Sequence, residues 1–509
     1  METKTAAIEM RNITKRFGPV LANDKVWLNI YRGEILALLG ENGSGKTTLM
    51  NMLSGIYFPD EGEIKIDGKE VVIRSPKDAF DNGIGMIHQH FKLVDVLTAA
   101  ENIVLGLPGK LDLKAASAKI REICDKYGFS VDPSQKIYDM SVSQKQTVEI
   151  VKVLYRGADI LILDDPTAVL TPQETDKLFA VLRNMRNDGK AIVIITHKMH
   201  EVEALSDRVA ILRHGQFIGD MLTSQTNAQE MTNMMVGHAV SLNIERPAPV
   251  DPKPRIEVKG LTVRSVDGIV KLDDVSFTAN SGEILGIAGI SGCGQKELLE
   301  AIAGLQTVES GSISYIEDDG SREELIGKDP LSIAELGVSL SFVPEDRLGM
   351  GLVGNMNLAD NMMLRSFRRG KSIFTDRRSP RALAESVVQE LSVSTPSVDT
   401  PVRRLSGGNV QKVLVGREIA SAPTVLLTAY AVRGLDIHSS YTIYDLINRQ
   451  KKAGVAVIFV GEDLDVLLEL CDRILVLCGG KVSGIVSGRG AEKREVGMMM
   501  TKLGGQSHE

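Results

Sequence analysis

The chain of 509 residues has few cysteines, few aromatic residues and no long apolar run. Its four cysteines, Cys124, Cys293, Cys471 and Cys478, include no CxxC pair, which indicates reduced structural thiols and argues against a zinc site. The longest apolar runs, such as residues 192–195, fall far short of the roughly 20 residues that a membrane helix requires. We therefore expect any contact with a membrane to run through a partner protein.

The chain also lacks an excess of basic residues. Its formal net charge is -7 and its pI is about 5.8, whereas a nucleic-acid binder usually carries a basic stripe or a basic pI. Residues 1–5 show none of the apolar character of a signal peptide. These features predict a cytoplasmic protein without a nucleic-acid partner.

What the chain does have is an internal duplication. Residues 33–40 return as residues 282–289, and residues 207–212 return as residues 472–477. A repeat spacing of about 250 residues indicates duplicated domains rather than solenoid units. A stretch rich in proline lies between the copies and favours an extended linker. We therefore predict one domain over 1–244, a linker over 245–255 and a second domain over 256–509.

Each half alternates short apolar runs with helical patterns. Residues 160–163 and 191–195 are apolar at consecutive positions, as strands in a sheet covered on both faces are. Residues 172–186 between them have helical spacing, with acidic residues early. This alternation predicts an α/β fold with a largely parallel sheet.

The strongest motif is a glycine-rich loop between a predicted strand and a predicted helix. It reads Gly40, Glu41, Asn42, Gly43, Ser44, Gly45, Lys46, Thr47. Glycines at this spacing let backbone amides surround phosphate oxygens, and the following helix adds the positive end of its dipole. Lys46 would place a charge on the terminal phosphates, and the Thr47 hydroxyl would bind Mg²⁺. The loop predicts ATP and Mg²⁺ as ligands.

Two carboxylates, Asp164 and Asp165, end the predicted strand at residues 160–163. Asp164 would hold Mg²⁺ and Asp165 would orient the attacking water. A capped strand end is the alternative interpretation, because Asp favours turns. The phosphate loop upstream favours the catalytic interpretation.

Taken together, these motifs resemble the ATPase subunit of ABC transporters. The likeness rests on residues 40–47, Gln89, residues 140–144, the two carboxylates and His197, and it covers essentially the whole chain twice. It implies two tandem P-loop NTPase domains of ABC type. Each would have a mostly parallel sheet core, an N-terminal antiparallel β portion and a helical subdomain.

The resemblance also implies roles for single residues. Phe17 matches the aromatic residue that stacks on adenine, with a core aromatic of an edge strand as the alternative. Gln89 matches the glutamine that senses Mg²⁺ and the water near the permease, and His197 matches the histidine that bonds the γ-phosphate. The implied catalytic residues are Lys46, Gln89, Asp165 and His197, and the implied Mg²⁺ ligands are Thr47, Gln89 and Asp164. The implied ATP ligands of the first copy are Phe17, Gly40, Asn42, Gly43, Ser44, Gly45, Lys46, Thr47 and Thr48.

The first copy departs from the family pattern in two places. Asp165 stands where the family has Glu, and the shorter side chain retreats by about 1 Å, a displacement that can slow a reaction by about 10²-fold. Val142 and Ser143 stand where the signature sequence has two glycines. Side chains there would crowd the approach of backbone amides to a phosphate.

The second copy has decayed in the complementary place. Its signature, residues 405–411, is intact, but the residues that would bind phosphate, metal and water are replaced. The replacements are Gln295 and Lys296 in the loop, Ala429 and Tyr430 for the carboxylates, Glu345 for the glutamine and Glu462 for the histidine. Three lost contacts of about 1.5 kcal/mol each would weaken binding by roughly 10³-fold. We expect weak or hydrolytically inactive binding there.

In dimers of this family, ATP lies between the phosphate loop of one domain and the signature of the other. The resemblance therefore implies one competent composite site. Lys46 and its neighbours would face Ser406, Gly407 and Gly408, at the start of a predicted helix.

Fused double ATPases of this kind resemble importers of nucleosides and monosaccharides. Residues 86–94, 97–102 and 166–174 are most similar to the nucleoside branch, with a ribose or galactose importer as the runner-up. The resemblance implies a peripheral subunit at the cytoplasmic face of the cell membrane. It would bind two transmembrane permease subunits, which an extracytoplasmic substrate-binding protein serves.

Two other classes of protein remain as alternatives. Soluble tandem ATPases that act on ribosomes usually keep both sites whole and have a long charged helical linker, unlike this chain. A nucleotide sensor that does not hydrolyse ATP is suggested by Asp165.

Overall fold

The computed structural model describes most of the chain. The described residues are 6–18, 20–88, 91–109, 112–167, 170–196, 198–237, 244–265, 267–290, 292–335, 340–367, 375–433, 435, 437–461 and 463–502. They form two compact units, Met1–Ser241 and Leu242–Glu509.

The first unit contains two sheets with helices on their faces. Its strands are β1 (Ala6–Phe17), β2 (Val20–Tyr31), β3 (Ile35–Leu39), β4 (Glu61–Ile66), β5 (Lys69–Val71), β6 (Ile84–Ile87), β7 (Ile160–Asp164), β8 (Ala191–Ile195), β9 (Arg208–Arg213) and β10 (Gln216–Leu222). Its helices are α1 (Lys46–Leu53), α2 (Pro76–Asp81), α3 (Ala99–Val104), α4 (Leu113–Tyr127), α5 (Val142–Tyr155), α6 (Pro172–Asn187), α7 (Met199–Leu205) and α8 (Ala228–Val236).

The second unit repeats this order of elements. Its strands are β11 (Pro254–Arg264), β12 (Val270–Asn280), β13 (Ile284–Ala288), β14 (Ser310–Ile316), β15 (Arg322–Glu324), β16 (Leu340–Val343), β17 (Val425–Ala429), β18 (Ala456–Val460), β19 (Arg473–Cys478) and β20 (Lys481–Ser487). Its helices are α9 (Gln295–Ile302), α10 (Pro330–Glu335), α11 (Leu358–Met363), α12 (Arg378–Glu390), α13 (Gly407–Ala420), α14 (Ile437–Lys452), α15 (Leu464–Leu470) and α16 (Lys493–Thr501).

Both units have the same sheet topology. An antiparallel sheet has the order β2-β1-β4-β5 in the first unit and β12-β11-β14-β15 in the second. The larger sheets have the orders β6-β7-β8-β3-β9-β10 and β16-β17-β18-β13-β19-β20. In each, the strands pair in parallel except at the antiparallel hairpin of the last two. The predicted α/β fold with antiparallel β portions is confirmed.

The sequence pattern explains the central strands. All five side chains are buried in both β3 and β8, because helices and the antiparallel sheet cover the two faces of the parallel sheet. The predicted helix that follows Thr171 is also confirmed. Thr171 and Glu174 form a capping box, and Pro172 occupies the first turn. The carboxyl ends of β3 and β7 thus open on loops that lead into helices.

The helical subdomain of the first unit has a core of its own. Side chains of α3, α4 and α5 pack together, and α5 begins at the altered signature sequence. In the second unit, α11, α12 and α13 occupy the same places in the chain order. The implied helical subdomain is therefore present.

The proline-rich segment between the copies is attached to the second unit over part of its length. Ile244 belongs to the core of that unit. Arg246 Nη1 donates to the carbonyls of Leu468 and Cys471 at 2.7 and 2.8 Å. Strand β11 begins at Pro254, whereas we expected an extended linker to Arg255. Prolines exclude a helix, but the carbonyl of Pro247 still accepts a hydrogen bond from Lys451 Nζ at 2.5 Å.

Candidate nucleotide site

The phosphate loop of the first unit connects β3 to α1, as its sequence predicts. Gly45 is the N-cap of α1 with φ 94°, a left-handed conformation that favours glycine. A Cβ atom at Gly45 would lie 2.3 Å from the carbonyl oxygen of Ala22, so no other residue fits. The loop therefore holds the start of α1, with its free backbone amides, close to the antiparallel sheet.

Lys46 is buried at the start of α1, with an exposed fraction of 9 %. Its Nζ donates to the carbonyls of Gly40 and Glu41 at 2.7 and 2.9 Å. Burial lowers the pKa of Lys46, while the charges of Asp165 and Asp164 oppose that effect. The loop thus surrounds a cation with polar groups and carboxylates.

Ser44 adds a buried hydroxyl to the same loop. Its Oγ has no hydrogen-bond partner among the described residues, although a buried polar group usually has one. A phosphate oxygen would supply that partner, so the loop fits the ligand that its sequence predicts.

The two carboxylates lie beside the loop at the end of β7. Thr47 Oγ1 donates to Asp164 Oδ2 at 3.4 Å. Burial, and then the charge of Asp165, raises the pKa of Asp164 to about 6. The half-buried carboxylate of Asp164 and the hydroxyl of Thr47 are hard oxygen donors of the kind that Mg²⁺ prefers, so the pair fits Mg²⁺. The described residues contain no cluster of three or more His, Cys, Asp or Glu for a metal, and a magnesium site completed by phosphate oxygens requires none.

Asp165 has an unusual backbone conformation. Its φ is 44°, and its N–H donates to the carbonyl of Ile195 at 2.9 Å. Tyr430 follows β17 in the second unit with φ 53° and donates to Val460 in the same way, also at 2.9 Å. The turn after the strand is thus the same in both units, although the side chains differ.

The structure brings together only part of the predicted site. Lys46, Thr47, Asp164 and Asp165 lie near one another, and Thr48 follows in the first turn of α1. Gln89 and His197 lie outside the described residues. Phe17 is the last residue of β1 and is 41 % exposed.

The loop of the second unit keeps the left-handed glycine N-cap of a phosphate loop without its buried charge. Gly294 is the N-cap of α9 with φ 99°. Gln295 is buried and its Nε2 donates to the carbonyl of Ile290 at 3.2 Å. Lys296 lies near Glu300, with Nζ 3.7 Å from the carboxylate. The conformation is retained, but no buried cation stands at the lysine position.

The intact signature lies at the start of α13. Ser406 is its N-cap, and Ser406 Oγ accepts from the Nδ2 of Asn409 at 2.9 Å. Gly407 and Gly408 form the first turn, so side chains do not cover the amides there. In the first unit, Val142 occupies the first position of α5. The start of α13 is the better site for an anion.

The sequence did not single out Arg347, which contacts the signature. Its Nη1 donates to the carbonyl of Gly407 at 3.0 Å, and its Nη2 donates to the carbonyl of Arg433. An arginine that bonds backbone carbonyls leaves no motif, so its position in the chain gave no signal.

Comparison with known protein families finds one matching segment in each of the two units. The ABC transporter family profile matches residues 23–168 and 272–428. A nucleoside import ATP-binding protein of Lactococcus lactis subsp. cremoris is 42 % identical, and the match covers 99 % of both chains.

The chain belongs to the ABC transporter family.

Two further relatives resemble this ABC protein over nearly their whole length. A guanosine import ATP-binding protein of Bacillus subtilis is 40 % identical, with 97 % of each chain covered. A ribose import ATP-binding protein of Rubrobacter xylanophilus is 38 % identical, with 96 % of this chain and 97 % of that one covered.

The family establishes the general activity of the ABC protein. It is an ATP-binding protein and an ATPase whose hydrolysis is coupled to transport. Among the described residues, no helix combines the length and the hydropathy that crossing a membrane would need. Because it is the ATPase subunit of an importer, it has membrane permease subunits as partners.

Proposed function

We propose that this chain is the ATP-hydrolysing subunit of an importer for nucleosides. The observation that carries the choice of cargo is likeness over the full length to two relatives named for nucleoside and guanosine import, at 42 % and 40 % identity. The ribose import relative, at 38 % identity, keeps a monosaccharide importer as the second candidate.

In this proposal the first unit performs the chemistry. Lys46 and the amides of the phosphate loop bind the phosphates of ATP, and the buried Ser44 hydroxyl gains a partner. Thr47, Asp164 and Gln89 would hold Mg²⁺, which neutralises phosphate charge when bound. Asp165 orients the attacking water and His197 bonds the γ-phosphate, as in the family pattern.

We propose one competent site, completed by the signature of the second unit. Each copy has lost a different half of the site, so the surviving halves complement each other. The start of α13, with Ser406, Gly407 and Gly408, offers amides and a hydroxyl to the γ-phosphate. Domains over 1–244 and 256–509, joined by 245–255, would supply one half each.

The proposed partners are two permease subunits in the membrane, seated near Gln89 and Glu345. An extracytoplasmic binding protein would deliver the cargo to them. The chain would lie at the cytoplasmic face and contact the membrane only through these subunits, without a nucleic-acid partner.

Turnover of ATP by variants of the assembled transporter tests the site. Lys46→Ala should abolish hydrolysis, because it removes the charge on the terminal phosphates, and Ser406→Arg should do the same by filling the space for the γ-phosphate. Gln295→Ala, in the matched loop of the second unit, should change turnover little. Equal losses from Ser406→Arg and Gln295→Ala would refute the asymmetry, and unchanged turnover in Lys46→Ala would refute the site.

The same assay separates a motor from a nucleotide sensor. If the chain is a motor, the wild type should show measurable turnover. Asp165→Glu restores the carboxylate of the family, so turnover should persist or rise in that variant. A wild type that binds ATP without turnover, with hydrolysis only in Asp165→Glu, would indicate a sensor.

Uptake decides the cargo. In a strain that lacks the chain, accumulation of labelled nucleosides should fall while accumulation of ribose stays normal. Wild-type protein should restore the uptake and Lys46→Ala should not. Loss of ribose uptake alone would favour the sugar importer.

A further inference from the structure

Two aromatic rings meet at the surface of the first unit near the end of β1. The centroids of Phe17 and Tyr57 lie 5.1 Å apart, and their planes form an angle of 70°. Both side chains are partly exposed, by 41 % and 36 %. Lys15 Nζ lies over the Phe17 ring, 5.5 Å from its centroid. Edge-to-face pairs at this distance are attractive and fix the orientation of both rings.

Tyr57 is tied to the helix that follows the phosphate loop. Its N–H donates to the carbonyl of Asn51 in α1 at 3.1 Å. Since α1 begins at Lys46, one short helix connects the two features. A movement of the phosphate loop would reach the aromatic pair through this helix.

Asp60 holds the turn after α1, which carries Tyr57, against β1. Its carboxylate accepts from Lys15 Nζ at 2.8 Å and from the N–H of Arg16 at 2.7 Å. Its own N–H donates to the carbonyl of Thr14 at 2.8 Å. These bonds hold the turn without help from either ring.

The second unit keeps the hydrogen bond between this turn and its first strand, but it lacks both aromatic rings. Glu309 N–H donates to the carbonyl of Thr262 at 2.9 Å, in the way that Asp60 bonds Thr14, and Glu309 also pairs with Arg264. The register of β11 and the turn after α9 place Ser265 and Gln306 where the first unit has Phe17 and Tyr57.

The fold therefore does not require the aromatic pair. The rings are absent from the unit that has also lost the loop lysine and both carboxylates. Because the aromatic pair is absent where the phosphate-binding residues are also absent, we assign it a role in binding the nucleotide.

We propose that Tyr57 is a positioning residue for the base of the nucleotide. It fixes the Phe17 ring by edge-to-face contact, and the two rings form a corner on which a flat purine stacks. This proposal rests on the proposed function, in which Phe17 contacts adenine. Ser265 and Gln306 offer no such surface, so the second unit would lose recognition of the base as well as of the phosphates.

The test is Tyr57→Gln, which installs the residue that the same turn accommodates in the second unit. In the assembled transporter the KM for ATP should rise about fivefold, the value expected for one lost aromatic pair, with kcat unchanged. Inhibition by inorganic tripolyphosphate, which has no base, should keep its Ki. Tyr57→Phe should restore the KM. Phe58→Ala, which removes the adjacent exposed ring, should leave both constants unchanged.

The outcomes separate this proposal from the proposed function. If Tyr57→Gln leaves the KM unchanged, or raises the Ki for tripolyphosphate in parallel, the positioning role is overturned while the ATP site stands. Lys46→Ala should abolish hydrolysis altogether. If it does not, the assignment of the phosphate loop itself fails.

Discussion

At the scale of single residues, Asp164 and Asp165 form a pair of carboxylates that an added cation would stabilise. Burial makes Asp164 costly to ionise, and repulsion from the adjacent carboxylate of Asp165 adds to that cost. Its pKa therefore rises to about 6. Lys46 offsets part of this repulsion, and an added cation would offset more.

Asp164→Asn should stabilise the protein without ligand at pH 7–8, by about 1 kcal/mol or more. A carboxylate whose pKa is raised in the folded state costs stability as pH rises from about 4 to about 6. The gain should therefore vanish below about pH 4. Urea unfolding across this range measures it.

Asp188 provides a control of opposite sign. A hydrogen bond from Lys126, and then one from Tyr127, lowers the pKa of Asp188. Asp188→Asn should therefore lose stability above about pH 4, and this loss should fade as pH falls. Equal signs for the two variants would contradict our account of Asp164.

Asp165→Asn should lower ATP turnover by about 10²-fold or more without lowering the melting temperature. Asn accepts the left-handed conformation as well as Asp does, so only the carboxylate is lost. Steady-state hydrolysis and thermal unfolding test this pair of outcomes. A large fall in melting temperature would mean that the carboxylate is structural.

At the scale of elements, α13 has the signature residues at its start and packs closely against its neighbours. Beyond its first turn, Gly416 faces α12, where an added Cβ would lie 2.5 Å from Val387 Cγ1 and 3.2 Å from Leu391 Cδ1. Valine cannot easily turn away because its χ1 is restricted. The absence of a side chain therefore sets the distance between the two helices.

Gly416→Ala should destabilise the second unit by about 1 kcal/mol or more, because overpacking exceeds the gain of about 1 kcal/mol in helix propensity. Gly490→Ala is the matched control, since its Cβ would meet nothing within 4 Å. Chemical denaturation measures both changes. A stabilised Gly416→Ala would show that α12 moves aside.

The sequence predicted the elements whose residues leave a periodic or spaced pattern. Strand β8 and the loop before α1 were predicted because their apolar runs and glycines have one physical explanation. The attachment of Arg246 and the corner at Tyr57 were not predicted. Arg246 bonds carbonyls more than 200 positions away in the chain, and Tyr57 is one of nine tyrosines. Aligning the two copies would have shown Gln306 opposite Tyr57 and drawn attention to it.

At the scale of the whole molecule, two units of one topology share a chain but differ in the residues of their phosphate loops. Each has its own parallel sheet and its own hydrophobic cores. Separate cores allow separate unfolding transitions. The proposed asymmetry can therefore be measured without a transport assay.

MgADP should raise the unfolding temperature of the first unit and leave that of the second nearly unchanged. At a ligand concentration 100 times Kd, the stabilisation is about 2.7 kcal/mol. Differential scanning calorimetry of the full chain measures it. Lys46→Ala should remove the shift and Gln295→Ala should keep it, whereas equal shifts in both transitions would mean that the second loop also binds nucleotide.

The turn at Tyr430 has a consequence for how Asp165 is understood. A bulky aromatic residue with positive φ is rare, yet the second unit has this backbone at Tyr430, where no carboxylate is present. The positive φ at this position is thus a property of the fold and is not strain that serves hydrolysis. An engineer who wishes to revive the second half can graft new side chains at positions 429 and 430 onto a main chain that already has the required path.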